Sequence, residues 1–390
     1  MSIEISQEQA RRFLASYHLA PTDLPGVFER LGTIQYDPLN PAGRNPDLVL
    51  QARIPGYHVD DWQQAAYSER LIYDAWDKQA CLIPVNDWSM RTYTREMYRP
   101  YHDREILQAD PQTAPRILNA IDDQGPLSSL EFLDRVSVRK GQHSWAGQTD
   151  VKRVLRALWV SGILVTHHRK SGRHYYDRPE RVIPAQHYTQ QMPDAETYHR
   201  WIMARRYQAV GLLRPNAEAA IWSACGDSTQ RKTALAQLIE IGTLTPIYVG
   251  PKKWLYYTLT SALTHLDAPL STPRITLLGP LDSLLWDRKA LQQIFDFNYL
   301  WEVYKPLAQR RWGYYVLPVF YGERFVARLD SRLIGKTWNI LNWWWEEDVV
   351  PDADLYAALR TAFQNFLAYL QAQDILAAEQ VDPAIRELAH

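Results

Sequence analysis

Two stretches of the chain repeat one pattern. VLRALWVSGILV (residues 154–165), followed by the basic HHRKSGRHYY, aligns with ALAQLIEIGTLT (residues 234–245), followed by IYVGPKKWLYY. Leu155, Leu158, Gly162 and Leu164 correspond to Leu235, Leu238, Gly242 and Leu244, each pair 80 positions apart. Such a repeat constrains the fold more than composition does, because each copy must be one supersecondary unit. In both copies, apolar residues at helical spacing run into a glycine stop, a strand, a turn (Ser171-Gly172; Gly250-Pro251) and a returning strand. That order is the recognition helix and wing of a winged helix, a relative of the helix-turn-helix DNA readers.

Upstream helices complete each unit. They are expected near Thr113–Asp122 and Ser128–Val136 in the first copy, with Ser128 and Glu131 as a capping box, and near Ala195–Val210 and Asn216–Ala224 in the second. The N-terminal segment predicts a helix opened by the box Ser6–Gln9, with Ala10, Phe13, Leu14 and Tyr17 on one face. A second helix follows over Leu24–Leu31, and a third lies around Asp60–Glu69. LIYDAWDKQACLIPV then reads as a hairpin, so this region is a modified winged helix. From Thr276 aromatic and β-branched runs dominate, with polar turns at Arg310-Arg311 and Gly322-Glu323. They predict a small sheet or partial barrel to about Leu341, then a closing helix from Asp352 to Gln373. The Trp343-Trp344-Trp345 cluster reads as core or domain interface in preference to a base-stacking platform.

The expected fold class is therefore mainly α with β (α+β): three tandem winged-helix-like units, then the β-region and its helix. The corresponding segments are 1–105, 106–188, 189–270, 271–345 and 346–390; length alone, at 390 residues, already implies two to four domains. No apolar run is long enough to span a bilayer. The N-terminus lacks the order of a secretory signal, and Cys81 and Cys225 form no metal-binding or disulfide pattern. A cytoplasmic, nucleoid-associated monomer without metal or cofactor is expected. The net charge of -1 conceals a strong polarity. Ten Lys/Arg face three acids between Arg139 and Arg181, and nine acids face two Arg from Trp343 onward. A basic region of that kind suits phosphates, and a solvated charged face is the alternative. On the first copy, Lys152, Arg153 and Arg156 lie off the apolar face of the helix, and Arg169, Lys170 and Arg173 sit in the wing. The second copy offers Lys252 and Lys253, and Arg310 and Arg311 mark a turn able to brace a duplex.

GTIQYDPLN (residues 32–40) places an amide and a carboxylate, Gln35 and Asp37, two positions apart in an apolar setting. In an extended chain they face one side; the same Asp37-Pro38 is also an ordinary turn signal. Together with LLGPLDSLLWDRKALQQIFDFNYLWEVYKPLAQRRWGYYVLPVFYGERFVARLD, this motif resembles the bacterial YcaQ/AlkZ-type winged-helix alkyl-DNA glycosylases over nearly the whole chain. Family members carry Q-x-Q or Q-x-D here, and the Q-x-D branch is associated with crosslink unhooking. The resemblance thus implies catalytic roles for Gln35 and Asp37, and Asn40 and Arg44 also fit its pattern; these two and Arg53 are expected DNA contacts. Asn45-Pro46-Asp47 stands where the family often has histidines, and Tyr36 replaces a smaller aliphatic residue.

The chemistry fits those residue types. A carboxylate stabilises the oxocarbenium-like state of N-glycosidic cleavage and polarises a water, which an amide orients. No lysine adjoins the motif, so hydrolysis leaving an abasic site is expected, with double-stranded DNA carrying alkylated, N7-purine bases as substrate. Two non-catalytic readings compete: a winged-helix DNA-binding regulator, and a protein-interaction scaffold that docks through the acidic C-terminal segment.

Overall fold

The computed structural model describes residues 2–108, 111–132, 145–269 and 272–389. In chain order, β1 (Ile3–Ile5) precedes α1 (Gln7–Leu19), whose Ser6–Gln9 capping box forms in both directions, as expected. Next come α2 (Leu24–Leu31), β2 (Ile34–Gln35), α3 (Asn45–Gln51), α4 (Trp62–Tyr67) and the hairpin β3 (Ile72–Trp76) to β4 (Ala80–Pro84). α5 (Thr92–His102) follows, and the first repeat is built from α6 (Thr113–Gln124), α7 (Trp145–Val160), β5 (Val165–Lys170) and β6 (Arg173–Asp177). Short helices α8 (Pro179–Val182) and α9 (Ala185–Tyr188) lead to α10 (Ala195–Val210), then α11 (Ser228–Glu240), β7 (Leu244–Val249) and β8 (Trp254–Leu259). The C-terminal region holds β9 (Ile275–Leu277), α12 (Arg288–Phe295), β10 (Val316–Tyr321), β11 (Arg324–Ile334), β12 (Thr337–Trp345), α13 (Ala353–Tyr369), β13 (Asp374–Ala377) and α14 (Pro383–Leu388).

The chain groups into two compact units, residues 1–61 with 202–390, and residues 62–201. In the second, Val151, Val154, Leu155 and Leu158 of α7 pack on Ile117 and Ile121 of α6, the face that the periodicity predicts. Gly162 ends α7 with φ 69°, and Gly242 follows α11 with φ 75°, left-handed values that explain both glycine stops. The repeat extends further than its sequence match. Tyr176 of β6 bridges Leu127, and Tyr257 of β8 bridges Leu213, each partner lying just after a left-handed glycine, Gly125 or Gly211. Each hairpin therefore gains the same third edge.

One expected helix of the second repeat changes. The helix expected over Asn216–Ala224 is only a 3-10 turn, Ala219–Trp222. Trp222 buries its ring and donates to the Ala217 carbonyl, and Ala224 and Gly226 adopt left-handed φ that stops any longer helix. The helix from Ser128 cannot be followed, because 133–136 lie outside the described residues, as do Arg139 and Lys140; Glu131 does accept the Ser128 N–H at 2.9 Å.

The first unit contains an unforeseen strand. β1 pairs parallel with β7, Ile3 opposite Ile247, giving the order β1-β7-β8. Its core joins Phe13, Leu14 and Tyr17 of α1 to Ile247, Tyr256, Leu291, Phe297 and Phe325. The C-terminal sheet curls as a half-barrel in the order β13-β12-β11-β10-β9. β10, flanked on both sides, is apolar nearly throughout, as a central strand should be. The Gly322 turn separates β10 from β11 as expected, but Arg310-Arg311 lies in an irregular loop before β10, and β11 turns into β12 at Gly335. α13 ends at Tyr369, and β13 follows parallel to β12. The tryptophan cluster is internal packing: Trp343 meets Phe363, Trp344 meets Trp312, and Trp345 donates to Asp382. Among the described residues no helix is long and apolar enough to cross a membrane.

Candidate active site

The motif is presented by the end of α2. Gly32 takes φ 69°, its N–H reaches the Phe28 carbonyl at 2.8 Å, and the chain leaves the helix extended. Thr33 to Tyr36 are buried, whereas Asp37 is half-buried at the end of this run. Asp37 Oδ1 accepts the Leu39 N–H at 2.9 Å, so the turn signal is real. Burial raises the Asp37 carboxyl above its ordinary range, against the lowering effect of that N–H.

Asn45 locks the backbone of the motif. Its Nδ2 donates to the Gln35 carbonyl at 2.8 Å, and its Oδ1 accepts the Leu281 N–H at 3.1 Å. A histidine here would not reproduce that two-way amide bridge, which gives the departure from the family pattern a structural reason.

Asp47, two residues on, is fully buried. Its Oδ1 accepts from Tyr57 Oη at 2.9 Å and from the Asp60 N–H at 2.8 Å, while Oδ2 has no hydrogen-bond partner among the described residues. Burial pushes this carboxyl up to about 6, even though the Asp60 N–H and Tyr57 pull it down. The hydroxyls of Tyr315 and Tyr369 are also buried without such a partner. Burial drives both phenols well above their ordinary range; the Asp37 and Asp47 charges add to this at Tyr315, and Asp47 adds to it at Tyr369. Two acids and two tyrosines thus share one electrostatic neighbourhood, supplied by the turn after β2, α3, the residue before β10 and the end of α13. Gln35 and Asp37 were legible in the sequence, and the other three were not. Tyr315 stood unremarked within the C-terminal signature, and the only sign of Asp47 was its departure from the family pattern.

The expected DNA contacts divide by environment. Lys152, Arg153 and Arg156 are exposed on α7, with Arg156 4.8 Å from the Trp76 ring centre, and Lys170 and Arg173 are exposed on the wing. Arg169 points inward instead, to Asp74 Oδ1 at 2.6 Å and the Gly172 carbonyl at 3.1 Å. Arg53 is completely buried in a two-pronged ion pair with Asp282, at 2.8 and 2.9 Å. Both guanidiniums are buried against carboxylates, contrary to the expectation of exposed phosphate contacts: one pins the wing to β3 and the other ties the end of α3 to the segment before α12. Arg44 pairs with Asp60 at 3.3 Å, and Asn40 Oδ1 accepts the Gly43 N–H. Lys252 and exposed Lys253 flank the second wing, where Lys253 meets Glu4 at 2.8 Å. Arg310 donates to the Lys305 carbonyl and lies over Tyr314, and Arg311 lies over Trp312.

The family model described as DNA glycosylase AlkZ-like matches residues 28–369. Among solved structures, the chain is similar to the Streptomyces sahachiroi DNA glycosylase AlkZ, with a TM-score of 0.64 and 13% identity over 97% of this chain and 100% of that one. At that identity the structural likeness establishes the fold, and the family match covers the motif, α3, Tyr315 and Tyr369 alike. The chain accordingly belongs to the AlkZ-like DNA glycosylase family and is an enzyme of DNA repair.

Proposed function

We propose that the protein hydrolyses the N-glycosidic bond of N7-alkylated purines in double-stranded DNA, including those tethered in interstrand crosslinks, and leaves an abasic site. The observation that carries this reading is the half-buried Asp37, its pKa raised, two residues beyond the immobilised Gln35 backbone. Asp37 stabilises positive charge at C1′ and takes the proton of the attacking water as the C1′–O bond forms. Gln35 orients that water. The C1′–N9 bond breaks with its electrons going to the base, which neutralises the charge that alkylation placed there, so the leaving group needs no proton. The protein acts as a monomer in this scheme, and exposed cations on α7 and its wing, together with exposed Arg311, hold phosphates.

The experiment incubates the purified protein with duplexes carrying N7-alkylguanine or a nitrogen-mustard crosslink and scores abasic sites. Release from the first and unhooking of the second are expected. A borohydride-trapped enzyme–DNA adduct would replace hydrolysis with a lyase route, and release of unmodified or uracil bases alone would overturn the substrate class.

A further inference from the structure

The loop between α12 and β10 carries an unusual surface. Tyr304 is 86% exposed and Leu307 is 79% exposed, while the backbone beneath them is held firmly. Buried Glu302 accepts the Trp312 N–H at 2.8 Å and Lys305 Nζ at 2.8 Å, bonds that with the Arg311 N–H hold its carboxyl down to about 2 against the effect of burial. Within the loop, Lys305, Gln309 and Arg310 donate backbone N–H groups to Glu302, Pro306 and Leu307. At its far end Gly313 presses on the Asp330 carboxylate so closely that a Cβ would overlap it. The segment from Val303 to Trp312 contains Lys305, Arg310 and Arg311 and no acid, and it runs directly into Tyr315, whose hydroxyl feels the Asp37 charge.

Single exposed apolar residues are ordinary on a protein surface. Two large ones on a pinned segment, residues 303–312, whose charged side chains are all cationic, next to a DNA-processing centre, are suited to a different use. We propose that this loop is a wedge: Tyr304 and Leu307 enter the base stack of duplex DNA beside the attacked nucleotide, and Arg310 and Arg311 hold the neighbouring phosphates. Apolar wedges flanked by cations unstack a base step in this way. Because the loop is already ordered, little conformational freedom is lost on insertion. Charge complementarity selects DNA as the occupant, since an acidic protein surface would not reward burial of the two apolar side chains. The inference rests on the glycosylase reading only for the position of the attacked nucleotide.

The test uses the full-length protein and a duplex in which a tetrahydrofuran abasic analogue adjoins 2-aminopurine, so that unstacking is read without catalysis. Wild type raises the fluorescence; Tyr304→Ala/Leu307→Ala abolishes most of the rise at saturating protein, and Tyr304→Trp retains it. Base release from a duplex lesion falls about tenfold or more in the double variant, while release of the same lesion from a single strand changes less than about twofold, which also confirms folding. Equal fluorescence and equal duplex rates in wild type and double variant overturn the wedge, as does a uniform loss of salt-dependent affinity with no change in unstacking. If wild type releases no base from either strand form, the proposed chemistry fails and the fluorescence still decides the wedge.

Discussion

Asp37 ionises in a setting that penalises its charge, and a group that must be anionic to act then fails at a higher pH than a solvated carboxylate. The kcat/KM for base release is expected to fall on the acid side at an apparent pKa above the ordinary value of about 4. Asp37→Asn should remove that limb and cost about 10²–10⁴-fold in rate, and Gln35→Ala should slow release while DNA affinity stays near wild type. Full excision by both variants sinks the assignment. Asp47 makes the opposite kind of prediction, in stability. Its folded pKa of about 6 exceeds the unfolded value, so the folded state binds the extra proton. The resulting stabilisation is present below about pH 4 and is lost as pH rises to about 6, roughly 3 kcal/mol in all. Asn reproduces the protonated carboxyl, keeping an acceptor for Tyr57 and the Asp60 N–H and supplying a donor at the Oδ2 position. Asp47→Asn should therefore match wild type in Tm at pH 4 and exceed it at pH 7; identical pH profiles for the two proteins would refute the linkage.

At the level of elements, close approaches decide what can change. Gly43, at φ 103°, sits where an added Cβ would overlap the Tyr369 hydroxyl at the end of α13. Gly43→Ala should cost about 2–5 kcal/mol through backbone strain and overpacking, and Tyr369→Phe in the same chain should recover part of it in denaturant titrations. The buried pair beneath α3 behaves differently. Arg53→Met alone should destabilise by about 3–5 kcal/mol because Asp282 is left unpaired, and Asp282→Leu should restore most of that loss without altering the salt dependence of DNA binding. What the sequence carried at this scale was what local pattern encodes: the repeated helix and hairpin, their glycine stops, the α1 capping box and the short run out of α2. Long-range pairing was hidden. Nothing in Ile3–Ile5 announces a parallel partner at Ile247, and an arginine such as Arg53 or Arg169 reads as surface charge until its buried carboxylate is found. Asp47, Tyr315 and Tyr369 escaped for the same reason, being far apart in the chain and ordinary in type.

Across the whole molecule, cations lie exposed on α7 and its wing while the acids collect after Trp343. Replacing Lys152, Arg153, Lys170 and Arg173 by Gln should weaken binding to all DNA sequences alike and flatten the plot of log affinity against log salt by up to about 0.9 for each phosphate that is no longer neutralised. An unchanged slope would move the DNA path off this face. The compact unit that holds Gln35 and Asp37 is made from both ends of the chain, with residues 62–201 between its halves. Ribosomes deliver about 5–20 residues per second, so the motif emerges early and waits many seconds for β7, Asp282, Tyr315 and Tyr369 before its surroundings exist. The intervening unit can fold first, on its own contacts. A nascent or C-terminally truncated chain should thus acquire the exposed cations of α7 and its wing well before it acquires any capacity to cut, a temporal order that arrested translation intermediates would reveal.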